Sequence, residues 1–490
     1  MNLRSNMFDG PRAGATLVLA GILLLSSGCM VGPKYQRPAA PAPSTYKEPP
    51  PAGWKEAQPN DGVLRGKWWE IYGDPQLNAL EEQVSISNQN VLMVEAQYRE
   101  AKDAVRIARS GLYPTVGASP SILSTRTPSK LGASTSPQGL YDLPFDLSYT
   151  ADLWGSIRRT IAASANAAQV SAADLENARL TYQADLASDY FQLHGLDGDA
   201  ELLASAVKSY EEFLVLTKNR YAGGVASLGD VAQAQTQLET TRAQLVDVGV
   251  QRAQFEHAIA ILTGKPPSGF SIPPATLKTP PPPVPLGVAS ALLERRPDIA
   301  GAERQVAAAN EQIGIAKAAF YPTLTLSASA GLESTGFVSW FTWPSRFWSV
   351  GPQLAETLFD AGKRHAQVSQ AEAAYDATVA NYRQTVLTAF QQVEDNLAAL
   401  RVLAEEADVT EGAVKAAKQS LDISTDQYKG GIVAYLQVIT AQTAWLQDEK
   451  TAVDLLTRRM TASVLLIEAL GGGWDATKLP TVHDVMAANN

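Results

Sequence analysis

Cysteine and histidine are scarce in this chain of 490 residues, which contains one cysteine and four histidines. A lone cysteine excludes a disulfide framework, and no two histidines stand at the spacing of metal ligands. The sequence therefore predicts neither a metal site nor the catalytic centre of an enzyme. Acidic residues outnumber basic ones, 50 against 40, and no basic stripe could follow a nucleic-acid backbone. We expect no nucleic-acid partner.

Long apolar runs are also missing, and beyond residue 30 the sequence predicts no transmembrane helix. Before that point, Arg4 and Arg12 precede a short apolar stretch, 13–25, and this order is typical of an export signal. The stretch is followed by two serines, a glycine and Cys29, a pattern similar to a lipobox. We predict a signal peptide over 1–28 and a covalent lipid on Cys29, which would anchor the chain without spanning the membrane.

The sequence repeats itself at a nearly constant offset. The offset is 321 − 113 = 208 for a Tyr-Pro pair and 430 − 223 = 207 for a Gly-Gly pair. It is 471 − 264 = 207 for a third glycine, which ends Leu-Thr-Gly in the first copy and Ala-Leu-Gly in the second. Three landmarks at this spacing indicate two tandem copies of one structural unit. A proline-rich stretch joins the copies and is predicted to be a linker, because its prolines cannot lie inside a helix or a central strand.

Each copy has the same predicted order of a helix, two strands, a very long helix, a glycine turn and a shorter helix. The predicted division is as follows: an extended strap over 29–67; repeat 1 over 68–264, with strands 113–125 and 141–153 and long helices 156–222 and 228–263; a linker over 265–286; repeat 2 over 287–471, with strands 321–333 and 346–356 and long helices 361–429 and 434–470; and a tail over 472–490.

The predicted strands alternate apolar and polar residues with a period of two, as the strands of a membrane barrel do. A half-buried sheet in water alternates in the same way. Aromatic residues near the strand ends favour the barrel, because such rings concentrate where lipid meets water. We assign this interfacial position to Tyr149, Trp154, Trp340, Trp343 and Trp348. Four strands cannot close a barrel in lipid, so the chain must oligomerise, as a dimer or as a trimer.

The long helices are too long for a globular domain. The range 156–222 would extend about 100 Å at roughly 1.5 Å per residue. Helices of this length pack as coiled coils. Their richness in alanine, glutamine and asparagine predicts a hollow cylinder with water on its inner side, continuing the strands.

Several motifs resemble the TolC superfamily, and within it the OprM/NodT-type lipoprotein branch. The motifs are Val31-Gly32-Pro33-Lys34-Tyr35-Gln36-Arg37-Pro38 after Cys29, Trp68-Trp69 before Asp74-Pro75-Gln76-Leu77, and Arg295-Arg296-Pro297-Asp298-Ile299 followed by 303–322. The resemblance implies a mixed α+β membrane protein of Gram-negative bacteria. It also implies a homotrimer whose twelve-stranded barrel crosses the outer membrane and continues as an α-helical barrel with an equatorial collar.

The same resemblance implies a function and partners. Members of this superfamily are exit ducts that join a periplasmic adaptor and an inner-membrane transporter, often of the resistance-nodulation-division type, and they bind no cofactor. Protein export by a type I system is a second option within the channel interpretation. A lipid-anchored periplasmic scaffold, made of coiled coil and a sheet in water, is the alternative from another class.

The resemblance also implies a gate at the glycine turns, where tyrosine, arginine and aspartate side chains tie neighbouring helices. The matching residues are Tyr221, Gly223, Gly224, Asp230, Tyr428, Gly430 and Gly431. Arg220 is adjacent but does not occupy the family's arginine position, and Gln437 and Thr440 stand where some members carry aspartates. The hypothesis is that both tyrosines latch the closed tip and that Asp230 attracts cations. Alternatively, the tyrosines only pack helix ends and Asp230 only complements a helix N-terminus.

Overall fold

A computed structural model describes residues 30–43, 45–49, 51, 66–126, 137–284 and 292–486. The predicted signal peptide and the predicted lipidation site, Cys29, lie outside the described residues. Parts of the predicted strap, linker and tail also lie outside them.

Long antiparallel helices form most of the molecule. The described helices are α1 (Pro75–Ser87), α2 (Gln89–Ser110), α3 (Ser156–Ala222), α4 (Leu228–Leu262), α5 (Leu292–Arg295), α6 (Pro297–Ala318), α7 (Lys363–Lys429), α8 (Tyr435–Ala469) and α9 (Val482–Met486). Helices α3 and α7 have 67 residues each, and α4 and α8 have 35 each, which reflects the sequence repeat. Among the described helices, none combines the length and the apolar composition needed to cross a membrane.

Four antiparallel rows of strand, which we call staves, form one sheet. The strands are β1 (Thr115–Ala118), β2 (Ser121–Thr125), β3 (Gln138–Ala151), β4 (Thr323–Ser334) and β5 (Arg346–Ala355). Strands β1 and β2 lie end to end along β3 and form one stave; β4 pairs with β3 and β5 pairs with β4. The strand predicted over 113–125 is thus two strands, because Pro120 between them has no N–H to donate to the ladder.

Both faces of the sheet are open in the single chain. On one face, the cross-strand neighbours Phe145, Ala330 and Trp348 continue an apolar surface, and Phe145 and Trp348 are 53% and 78% exposed. On the other face, Asp146 lies opposite Ser329. No residue of β1, β2, β4 or β5 is buried. An exposed, continuous apolar face of this kind must be covered either by lipid or by another protein chain.

Two hydrophobic clusters hold the helices together. In the larger one, Trp68, fully buried at 0% exposure, belongs to the same cluster as residues from α3, α6 and α7 such as Leu186, Ile299 and Leu397. The smaller cluster lies towards the glycine turns and includes Leu238 of α4 and Val438 of α8. Helix α3 of repeat 1 packs against α6 of repeat 2, so the repeats share one body.

The strap, residues 30–51 where described, lies along the helices of both repeats. Its first part is held by Arg159, which is 3% exposed. Arg159 donates from Nε to the carbonyl of Val31 at 2.6 Å and from Nη2 to that of Pro33 at 3.2 Å, and its Nη1 pairs with Glu311 at 2.6 Å. One buried guanidinium therefore joins α3, α6 and the strap. A buried cation is stable only with such a complete set of acceptors.

Farther along, the strap contacts α6 and α7. The hydroxyl of Tyr35 donates to Glu303 of α6. Arg383 of α7 donates to the carbonyl of Ala39 at 3.2 Å, and Glu394 accepts from the backbone of Lys47 at 2.7 Å. Side chains from α6 and α7 thus fix the strap at Tyr35, Ala39 and Lys47.

Substituting Gly314 with Ala should loosen the strap. A Cβ at Gly314 would lie 2.3 Å from Cδ and Nε of Arg159, so the guanidinium would have to leave its acceptors. We expect a loss of about 1–3 kcal/mol, typical of overpacking, seen as a lower denaturation temperature and faster proteolysis of the strap.

The control is Gly412→Ala in α7, where a Cβ would meet nothing within 4 Å. This change should be neutral or stabilise the helix by up to about 1 kcal/mol, because alanine is the better helix former. Equal behaviour of the two variants would contradict the assigned role of Arg159.

Candidate functional site in the sheet and at the helix turns

The two glycine turns lie side by side at the end of the helices remote from the sheet. In each turn the second glycine adopts a left-handed backbone, with φ of 73° at Gly224 and 78° at Gly431, which a residue with a side chain rarely adopts. Arg220 of α3 reaches the other turn, where its Nη1 donates to the carbonyl of Tyr428 at 2.9 Å. The structure therefore brings together the turns that the sequence placed 207 residues apart (430 − 223).

Tyr428 is enclosed in this arrangement. It is 3% exposed, its hydroxyl lies 3.3 Å from Oγ1 of Thr217, and the guanidinium of Arg220 lies 4.6 Å from its ring centroid. The ring of Tyr435 lies 5.4 Å away. Burial, and then the neighbouring tyrosines Tyr428 and Tyr210, raise the pKa of Tyr435.

Tyr221, the counterpart of Tyr428 in repeat 1, is 46% exposed. The two tyrosines that the sequence treats as equivalent thus differ. Tyr428 already joins two helices of one chain, whereas Tyr221 presents its ring outwards, where a second chain could meet it.

Arg220 is the residue at this tip that the sequence reasoning missed. It was set aside because it does not match the family's arginine position. A usable signal was present, since a cation in the last turn of a helix can bind the final carbonyls of that or a neighbouring helix. Here the carbonyls belong to α7, at Tyr428 and at Lys429, 2.9 and 3.3 Å from Nη1.

Asp230 forms a capping box at the start of α4. Its carboxylate accepts from the backbone N–H of Ser227 at 2.9 Å, and its own N–H donates to the hydroxyl of Ser227 at 3.1 Å. The equivalent position at the start of α8 is Gln437, and the N-cap residue there, Ala434, has no side-chain cap. Asp230 thus has a local structural role in a complete capping box, which Gln437 beside Ala434 does not form.

Aromatic side chains gather at both ends of the staves. At the helix-facing end, Trp154 stacks on Tyr321 with 4.6 Å between centroids and donates from Nε1 to the carbonyl of Pro322 at 2.8 Å. At the opposite end, Trp343 is 78% exposed. The staves between them, such as β4 with 12 residues, are long enough to cross a tilted hydrocarbon layer.

Trp340, Tyr149 and Trp348 occupy different environments. Trp340 is only 8% exposed, because it packs on Tyr141 and donates from Nε1 to the carbonyl of Leu332 at 3.2 Å. Trp340 therefore packs inside the loop between β4 and β5. The sequence alone predicts instead an outward-facing position at the interface. Trp348 lies on the exposed apolar face, and Tyr149, partly buried, lies on the same face opposite Leu326.

Sequence and fold comparisons agree with this geometry. Residues 80–265 and 288–472 match the family described as "Outer membrane efflux protein". The chain is 30% identical over 468 residues to the solvent efflux pump outer membrane protein SrpC of Pseudomonas putida, covering 93% of this chain and 98% of that protein. It is 29% identical over 482 residues to outer membrane protein OprJ of Pseudomonas aeruginosa, with 96% and 98% covered.

Solved channels have the same fold. The outer-membrane channel OprN superposes with a TM-score of 0.82 at 27% identity, covering 91% of this chain and 100% of that one. Outer membrane protein VceC from Vibrio cholerae superposes with a TM-score of 0.77 at 29% identity, covering 84% and 99%. The predicted fold class is confirmed, and the alternative of a periplasmic scaffold is wrong. This chain belongs to the outer membrane efflux protein family, with its TolC-like fold, and is a channel and not an enzyme.

Proposed function

We propose that three copies of this chain close into one barrel of twelve staves and one continuous tunnel of helices. The chain is the outer-membrane channel of a tripartite efflux pump. One observation carries the proposal: the sheet exposes an apolar face and leaves an open edge on each outer stave, β1/β2 and β5. In hydrocarbon each unpaired backbone group would cost several kcal/mol, so the edges of neighbouring chains must pair.

The position of the strap supports a lipid anchor on Cys29. The N–H of Val31 donates to the carbonyl of Trp154 at 3.1 Å, and Met30 lies against Gly155, where a Cβ would be 2.7 Å from its Cγ. Met30 and Val31 therefore lie near the end of the sheet, at the level of the Trp154–Tyr321 stack, and they directly follow Cys29 in the sequence. An acyl chain starting there would enter the inner leaflet directly.

Cys29→Ser tests the anchor. Cells supplied with radioactive palmitate should label the wild-type chain and leave the variant unlabelled. The variant should still fractionate with the outer membrane, because the barrel and not the lipid spans it. Equal labelling of both chains would contradict lipidation at Cys29.

The proposed partners are a periplasmic adaptor and an inner-membrane transporter of the resistance-nodulation-division type. The proposed cargo is small molecules, passed without chemical change. Relatives are named for the efflux of solvents, toluene and antibiotics. No observation on this chain favours protein export over this function.

The glycine turns and their neighbours form the proposed gate. Arg220 and Tyr428 would hold the closed tip within each chain, and Tyr221 would meet the neighbouring chain. Opening would then require the two Arg220–carbonyl hydrogen bonds to break, at a cost of about 1.5–3 kcal/mol for each bond to a charged group. Asp230 would keep α4 capped in both states and add negative charge at the entrance.

Single-channel recording in planar bilayers tests channel and gate together. The wild-type protein should conduct. Tyr428→Ala and Arg220→Ala should raise the conductance or the open time, because each removes contacts made only in the closed tip; Tyr428→Phe should have a smaller effect, because it loses only the hydroxyl. Lys218→Ala, in the same turn of α3, removes the same charge and should behave as wild type.

Two results would contradict this proposal. Absence of any pore in the wild-type protein would overturn the channel. Conducting protein in which Arg220→Ala and Tyr428→Ala match Lys218→Ala would overturn the gate alone.

A further inference from the structure

Three features mark where the membrane interface meets this chain, provided that the proposed function holds. Trp154 and Tyr321 stack at the helix-facing end of the sheet. Tyr113, which precedes β1, is 60% exposed at the same end. Met30, next to the proposed lipid, lies against Gly155. Together they place the headgroup layer at the first turns of α3 and the last turn of α2.

A cavity of about 500 Å³ opens at this level, between α2, α3 and the C-terminal helix α9. Its apolar wall includes Leu112, Ile161 and Met486. Helix α9 is fixed beside it, because Val485 is 1% exposed and belongs to a small cluster with Val105 and Ala165. The cavity is thus built by three packed elements and is not a groove in a single helix.

The ionisable groups that line the cavity are basic. Among the described residues, its lining includes Arg109, Arg158 and His483, with the neutral Asn166, and no carboxylate. Arg158 pairs with Asp152 of the strand end at 3.0 Å, which fixes its guanidinium in place. In the part of the chain that the structure describes, Arg109 has no carboxylate partner, and its Nη1 donates to the carbonyl of Met486 over a long 3.5 Å. Arg109 therefore leaves a positive charge in the cavity.

The depth of the cavity fits a headgroup. Arg158 is the third residue of α3, so at about 1.5 Å per residue its backbone lies only about 3 Å below the start of the helix. Leu112 lies three residues before β1. Headgroup layers extend about 5–7 Å beyond the hydrocarbon on each side. The basic groups therefore fall within that layer, with the exposed apolar face of the sheet above them.

We propose that this cavity binds a phospholipid of the inner leaflet of the outer membrane, with its phosphate on Arg109 and Arg158 and its acyl chains along the sheet. The guanidinium of Arg109 can match phosphate oxygens with two parallel hydrogen bonds, and His483 can add another. Arg158, held by Asp152, lies beside them in the lining. The apolar wall would cover the glycerol and the first methylenes of the chains. Such a lipid would fix the height of the channel in the membrane.

The bound lipid would be distinct from the acyl group on Cys29. Consecutive residues of a helix point about 100° apart. Arg159 faces the strap and Arg158 faces the cavity, so the strap and the cavity lie on different faces of α3. The covalent lipid would follow the strap, and the cavity would be left for a diffusible phospholipid.

Native mass spectrometry of the delipidated protein, titrated with phosphatidylglycerol, tests the proposal. The wild-type chain should hold one lipid per copy, and Arg109→Ala should lower the affinity by about tenfold or more, as the loss of charge-assisted hydrogen bonds predicts. Arg109→Lys keeps the charge but loses the paired geometry and should lie between them. Arg106→Ala is the matched control, because Arg106 lies one turn earlier and pairs with Asp103 at 2.8 Å, outside the cavity.

The remaining arms separate the possible outcomes. If millimolar inorganic phosphate displaces bound phosphatidylglycerol as effectively as free phosphatidylglycerol does, the cavity is a phosphate site and the phospholipid assignment is overturned. Equal lipid affinity of Arg109→Ala and Arg106→Ala would overturn the site. Conductance of Arg109→Ala is measured in parallel: if it conducts as wild type while losing the lipid, the site is supported and the channel stands. If no variant conducts, including wild type, the proposed function fails, whatever the lipid titration gives.

Discussion

The backbone at the two open edges of the sheet is the constraint on which the rest of this structure depends. Each edge carries N–H and C=O groups that no other described strand of the chain pairs, beside an apolar face that is unfavourable in water. In a membrane both problems have one solution, which is pairing of β1/β2 with β5 of a neighbouring copy. The helices then have to form a ring as well, because only short connections, 152–155 and 356–362, join β3 to α3 and β5 to α7.

The two repeats have long helices of equal length, but their side chains make different contacts. Repeat 1 supplies two cations that join the repeats: Arg159 also holds the strap at the sheet end, and Arg220 holds the second glycine turn about 90 Å away along α3 (61 residues at about 1.5 Å). Repeat 2 supplies one partner for each of them, Glu311 for Arg159 and the carbonyl of Tyr428 for Arg220. The asymmetry ties the repeats together at both ends of the long helices.

Features with a strong local cause were predictable from the sequence. The long helices lack proline and end at Gly-Gly pairs, so α3 and α7 could be placed to within two residues of their ends. The strands alternate clearly, although the break at Pro120 was not foreseen. Contacts between residues far apart in sequence were not predictable. The reach of Arg220 to the other turn, the burial of Trp340 in its loop and the cavity of α2, α3 and α9 depend on packing that no spacing encodes.

The mass of the unheated, detergent-solubilised protein tests the central claim most directly. Closure of the sheet by neighbouring copies predicts a particle of three chains, and the full sequence of one chain has a mass of 52.3 kDa. A particle that contains a single chain would contradict closure between copies, because the edges of the sheet would then remain unpaired.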